Sequence, residues 1–292
     1  MPASSAEMST GKGPRILLLG DSHSLAVHEA VEKRRKQGLT SPLTVFRRDR
    51  KETKSEEERS RLREARAHDW TWRGIAGIRM DDFLARVAEF GQNDIVLSAL
   101  AGSDYVYFGL LEHPMPFDFH TPFASPAPRR GVHIVPYRAL ADMFVETLVD
   151  RYRHLFAIRA ATSARVVHLL SPPPLADDEF IARSRAEVSA RAGIPNLPVA
   201  PPHLRLKFYL MQVRYLRKAC IKRGIEIMMP PAEAIQNGFL DARYYGPDAH
   251  HANALYGELV LRDVERQFLW HAEGSDKRLV EIARPASATS PS

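Results

Sequence analysis

Between residues 16 and 269, short apolar runs alternate with longer stretches whose apolar residues recur every three or four positions. The runs at 16–19, 43–47, 94–100, 165–170 and 225–229 read as strands. The stretches at 25–36, 81–90, 136–159, 202–223 and 252–269 carry the helical spacing. Several of the strands are apolar at consecutive positions, as expected where helices cover both faces of a sheet. This alternation predicts a three-layer α/β/α sandwich around a mainly parallel, five-stranded sheet.

Two excursions break the rhythm. One, near 48–70, interleaves acids and bases; the other, 110–136, is rich in Pro, Phe and His. Long connections in a compact domain tend to be lids or binding loops. In open α/β sheets ligands bind outside the carboxyl ends of the strands, where the second excursion starts. The ends, 1–13 and 284–292, are small, polar and Pro/Ser-rich and read as disordered tails. A single domain is expected over 14–272.

Composition narrows the class. The 292 residues, 45% of them hydrophobic, suffice for one substantial core. A net charge of +6 raises nucleic acid as a partner. Much of the excess lies in the mixed-sign stretch 47–68, the pattern of a solvated helix. With no helix-turn-helix, zinc-finger or RNP-type signature, no nucleic-acid partner is expected. The single cysteine, Cys220, excludes an internal disulfide framework and fits a reducing compartment. No segment is apolar over the width of a bilayer, and residues 1–14 lack the apolar run of a secretory signal. A cytoplasmic protein without a membrane span is expected.

The candidate chemistry sits at the two ends of this domain. The first strand closes on Gly20-Asp21-Ser22-His23, and a helix begins at once. As turn chemistry this is ordinary: glycine for backbone freedom, Asp or Ser for a cap. It also sets the Ser22 hydroxyl at the carboxyl edge of the sheet, beside the free N–H groups of a helix start. Near the other end Asp248 precedes His251 by three residues, just before the last helix. That spacing lets the carboxylate hold one imidazole nitrogen while the other acts as a base. The plainer alternative is a capping Asp248 beside two surface histidines, His250 and His251. A metal site from His23, Asp248, His250 and His251 is not expected, because adjacent histidines rarely point the same way.

Together the two motifs resemble the first and last blocks of the SGNH, or GDSL-type, hydrolase superfamily, and the likeness extends over about residues 15–267. It implies an SGNH-hydrolase-like, flavodoxin-like fold and an ester-cleaving serine hydrolase. Ser22 would be the nucleophile, His251 the base and Asp248 its orienting carboxylate. The implied substrates are small-molecule or glycoconjugate carboxylic esters, O-acyl or O-acetyl groups on carbohydrate among them; no cofactor is implied. The family's second block lends a glycine N–H to the oxyanion hole, and "WRGIAGIRMDDF" offers Gly77, with Gly74 as its rival.

The third block, Gly-x-Asn-Asp after the third core strand, is altered. Ala101-Gly102-Ser103-Asp104 occupies its place, with Ser103 where Asn is expected as an oxyanion donor. A literal match at Gly91-Gln92-Asn93-Asp94 precedes the strand, so Asn93 reads as a turn residue. His23 is either a substrate contact or a solvent-facing helix residue. Phe117 and Phe119 either wall the pocket or pack the 110–136 loop onto the core. The missing Asn keeps two other readings open: an acyltransferase on the same serine, and a catalytically weak carbohydrate-binding descendant.

Overall fold

The computed structural model describes residues 14–48, 75–123, 125–192 and 197–269. The expected tails, the charged insertion beyond residue 48 and Gly74 lie outside those residues. Along the chain the strands are β1 (Ile16–Gly20), β2 (Leu43–Arg48), β3 (Gly77–Ile78), β4 (Ile95–Ala99), β5 (Phe117–Asp118), β6 (His133–Ile134), β7 (Arg165–Leu169), β8 (Glu226–Met228), β9 (Ile235–Gln236) and β10 (Phe239–Leu240). The helices are α1 (Ser24–Lys36), α2 (Met80–Ala88), α3 (Asp104–Gly109), α4 (Tyr137–Ala161), α5 (Asp178–Ala192), α6 (Pro202–Ile221) and α7 (Ala254–Phe268).

Six strands form the main sheet in the order β3-β2-β1-β4-β7-β8, every pair parallel. The five predicted strands are all present, with ends shifted by at most one residue. The sixth, β3, extends the expected five-stranded sheet at its edge. Two residues are too few to carry a readable period.

Side chains of β1 alternate between two cores. Leu17 and Leu19 belong to the apolar cluster that includes Phe83 and Val87 of α2, Phe144 and Leu155 of α4 and Phe208 of α6. Ile16 and Leu18 meet Ala26, Val27 and Ala30 of α1 with Leu259 and Val260 of α7. Burial on both faces explains why this strand is apolar at each position. Each such Leu or Ile contributes about 1.5–3 kcal/mol when fully buried.

Helices α1 and α7 approach unusually closely. A Cβ on Gly257 would lie 1.8 Å from the Ala26 carbonyl oxygen, so only glycine fits there. Arg34 of α1 then reaches across to both Glu258 and Glu265. This clamp fixes the start of α7, and the Asp248–His251 segment before it, beside the β1–α1 turn.

The 110–136 excursion is anchored by a buried ion pair. Lys207 and Asp118 are both fully buried, with Nζ 2.7 Å from Oδ1. Lys207 also donates to the Phe119 carbonyl, and Asp118 accepts from the N–H groups of Phe119 and Arg129. Phe119 has no exposed surface, and its ring lies 5.1 Å from that of Phe208. Phe117, partly buried, leans on the same Phe208 ring. Of the two roles open to these phenylalanines, Phe119 takes that of packing the excursion onto α6, and Phe117 adds to it while keeping part of its surface exposed.

At the amino edge of the sheet, Arg15 holds Asp94 through a 2.6 Å contact, and the Gly91 N–H donates to the same carboxylate. The Arg15 hydrogen bond outweighs desolvation and draws the carboxyl pKa from 3.8 down to about 2. A carboxylate whose folded pKa is depressed stabilises the fold above its unfolded value, and this is lost as pH falls through the folded one. Asp94→Asn should therefore narrow its stability deficit against wild type as pH drops from about 4 to about 2. Denaturant midpoints across that range measure this, and a deficit constant with pH would contradict it.

Candidate functional site

The chain leaves β1 toward β2 on one side and leaves β4 toward β7 on the other. Neighbouring β1 and β4 thus enclose the crevice where an open α/β sheet binds its ligand. The segments following these two strands carry Ser22-His23 and Ala101-Gly102-Ser103. The register at the third block accordingly holds, and Asn93 lies at the opposite, amino end of β4, in the turn closed by the Asp94 N–H on the Gly91 carbonyl.

Asp21 ties the strand ends together. Its carboxylate is 4% exposed and accepts from Arg48 Nε at 3.1 Å, Arg48 Nη2 at 2.9 Å and the Ala101 N–H at 2.9 Å. The Asp21 N–H donates to the Ala99 carbonyl. One side chain thereby joins the ends of β1, β2 and β4. Ser22 follows, half-buried in the turn before α1. Neither its N–H nor its hydroxyl is hydrogen-bonded among the described residues.

The turn after β4 stores backbone strain. Ala101 has φ +58° and Gly102 φ +94°, a left-handed pair whose first member is not a glycine. Gln212, fully buried on α6, holds this turn from behind. Its Nε2 donates to the Gly102 carbonyl at 3.0 Å, and its Oε1 accepts from the Tyr105 N–H at 2.9 Å. The result sets Ser103 Oγ 2.9 Å from His23 Nε2.

Opposite stand Asp248 and His251. Asp248 Oδ1 accepts from the N–H groups of His250 and His251, and Oδ2 lies 2.5 Å from His251 Nδ1. Burial works to raise the Asp248 pKa. The hydrogen bond from His251 and the charges of His251 and His250 prevail, holding the carboxyl well below its usual range. Asp248 is therefore ionised and fixes the proton of His251 on Nδ1. His251 Nε2 remains buried without a hydrogen-bond partner, a lone pair directed away from its carboxylate.

Burial disfavours the charged form of the other two histidines at the site. Burial and then His251 bring His250 down to about 4. Burial, followed by His251 and His250, lowers His23 well below its ordinary value. The His23 ring lies 4.9 Å from that of His251, so the β1–α1 turn and the segment before α7 are neighbours. Asp248, His250 and His251 each offer a ligand atom within 4.8 Å of the others. Within this cluster the shortest contact is the one between Asp248 Oδ2 and His251 Nδ1.

Gly77 is not brought to the site. It pairs with Arg47, which pairs with Gly20, so two strand spacings, about 9–10 Å, separate Gly77 from the end of β1. β3 thus forms the sheet edge beyond β2. Arg48, Asp21 and Gln212 escaped the sequence reading. For Gln212 a signal exists: it is a polar residue within the otherwise apolar stripe of Leu204, Phe208, Met211 and Leu216. A groove of about 270 Å³ between α4 and α6, lined by Val149, Tyr152, Phe156 and Tyr215, shares no residue with the histidine cluster.

No family model and no curated protein matches the sequence. Among solved structures, the periplasmic domain of a lipopolysaccharide acetyltransferase from Salmonella ser. Paratyphi A is 10% identical, with a TM-score of 0.39 over 88% of this chain and 84% of that one. A GDSL-like lipase from Bacteroides thetaiotaomicron is 10% identical, with a TM-score of 0.37 over 87% of each chain. The chemistry of the present chain rests on its own residues.

Proposed function

We propose that this protein is a serine esterase of the SGNH type, acting on carboxylic esters of small molecules or glycoconjugates. The observation carrying this reading is the 2.5 Å Asp248–His251 pair, whose ring, with Nε2 unpartnered, lies 4.9 Å from that of His23, the neighbour of Ser22. In the first step Ser22 Oγ bonds to the ester carbonyl carbon while His251 Nε2 takes its proton. The carbonyl oxygen becomes an oxyanion, met by the Ser22 N–H and Ser103. His251 then returns the proton to the departing alcohol, leaving an acyl-Ser22. Water, deprotonated by His251, attacks that acyl group and releases the acid and Ser22. Asp248 stabilises the imidazolium at both stages.

One observation favours a rival nucleophile: the hydrogen-bonded serine–histidine pair at the site is Ser103–His23. His23, however, has no carboxylate on its Nδ1, and its burial opposes protonation. His251, by contrast, has the Asp248 carboxylate on its Nδ1 to stabilise the proton that it accepts. Apo hydrogen bonds at catalytic serines are often open and close with substrate, so the unengaged Ser22 is compatible with its role.

Among the described residues no helix is long and apolar enough to cross a membrane. A cytoplasmic location belongs to the proposal and rests on the single cysteine. The functional test is turnover of short activated esters by the purified full chain, with products resolved in the presence and absence of a polyol acceptor. Free acid as the main product in both supports the esterase. Acyl-polyol as the main product assigns a transferase to the same site, and no turnover, with retained binding of glycans, would overturn the enzymatic reading.

A further inference from the structure

We infer that His23 is a positioning residue that turns Ser103 into a directed oxyanion donor, the two side chains together replacing a single carboxamide; this rests on the esterase reading above. The argument concerns where two hydrogens lie. His23 Nε2 and Ser103 Oγ are 2.9 Å apart, so either the imidazole donates to the hydroxyl or the hydroxyl donates to the imidazole. The second nitrogen decides. His23 Nδ1 is sealed from solvent with no partner.

If the proton sat on Nδ1, a buried N–H would be orphaned, which native structures rarely tolerate. A buried acceptor without a partner is tolerated better. The proton therefore sits on Nε2 and is donated to Ser103 Oγ. That leaves the Ser103 hydrogen free to point elsewhere, and the hydroxyl becomes a donor instead of an occupied one. A protonated His23 would orphan the same Nδ1–H and add a buried charge.

The surrounding backbone serves this arrangement. A Cβ on Gly102 would lie 3.3 Å from His23 Cδ2 and 3.1 Å from Ser171 Cβ, so the absent side chain lets the imidazole lie close over the turn. The left-handed pair Ala101-Gly102, held by Gln212, fixes the direction from which Ser103 meets it. A lone serine hydroxyl rotates freely. Donation from His23 removes one of its orientations and biases the hydrogen toward the crevice between β1 and β4, where the Ser22-bound carbonyl would sit.

The test has a kinetic arm and a spectroscopic arm. Removing an oxyanion donor lowers kcat by about 10²–10³, and a hydroxyl donor should lie at or below the lower end. Ser103→Ala and His23→Ala should each lower kcat by roughly 10–10²-fold with KM little changed. The double variant should be no slower than Ser103→Ala alone. Ser103→Asn, with a carboxamide that accepts from His23 and donates onward, should retain kcat. His23→Gln, which keeps a donor toward Ser103, should recover much of the loss. Nitrogen-15 NMR of the histidine side chains should show His23 neutral with its proton on Nε2 at pH 7, in a folded protein and independently of turnover. Losses that multiply in the double variant, or an Nδ1–H or charged His23, would overturn the inference. Absence of wild-type turnover would instead sink the esterase reading, and the NMR tautomer alone would then decide the direction of the His23–Ser103 bond.

Discussion

Ser22→Ala should reduce kcat on short activated esters by at least about 10⁴-fold while leaving thermal stability nearly unchanged. The hydroxyl makes no hydrogen bond among the described residues, so its loss removes chemistry and little packing. His251→Ala should be comparably damaging, because Ser22 and His251 act as a unit and neither is effective alone. His250→Ala should be far milder, within about tenfold, since His250 holds neither the 2.5 Å contact to Asp248 nor the free nitrogen beside the β1–α1 turn. Steady-state kinetics on the four purified proteins measure this. Equal losses at His250 and His251 would leave the base unassigned and contradict the geometry given above.

Asp118→Ala should be the most destabilising single change outside the apolar core. It leaves the fully buried Lys207 ammonium without its counter-ion and strips acceptors from the N–H groups of Phe119 and Arg129 and from His203. Breaking one side of a buried ion pair costs about 3–5 kcal/mol. In a domain of this size that is a Tm drop of roughly 6–20 °C. The paired replacement Asp118→Leu with Lys207→Met should recover most of it, because no charge is left uncompensated. Calorimetric melts of wild type, single and double variants provide the comparison. A single variant as stable as wild type would contradict the buried-pair account, as would a double variant no better than the single.

What the sequence disclosed follows the range of the interactions. The strand–turn–helix at Ile16 to Lys36 is written in adjacent residues, and the Asp248–His251 contact spans three positions. Both could be read locally, and so could the altered third block, because the strand before it is apolar at all but Ser98. The features that escaped join residues far apart in the chain. Ser103 and His23 are separated by 80 positions, Lys207 and Asp118 by 89, and Gln212 and Gly102 by 110. No period or spacing encodes such meetings; they follow only once the strand order is known. Gly77 shows the same limit. A glycine just before an amphipathic helix does not announce that it begins an edge strand, and only the pairing with Arg47 reveals it. Phe119 could equally have faced solvent or core until Lys207 and Phe208 were placed beneath it.

The central claim is that Ser22 is the nucleophile, activated by His251. The most direct measurement is to react the folded wild-type protein with an organophosphonate ester and locate the adduct by peptide mass spectrometry. The account predicts one adduct, on Ser22, absent in Ser22→Ala, strongly slowed in His251→Ala and still formed in Ser103→Ala. An adduct on Ser103 that persists in Ser22→Ala would contradict it and transfer the nucleophile's role to the Ser103–His23 pair.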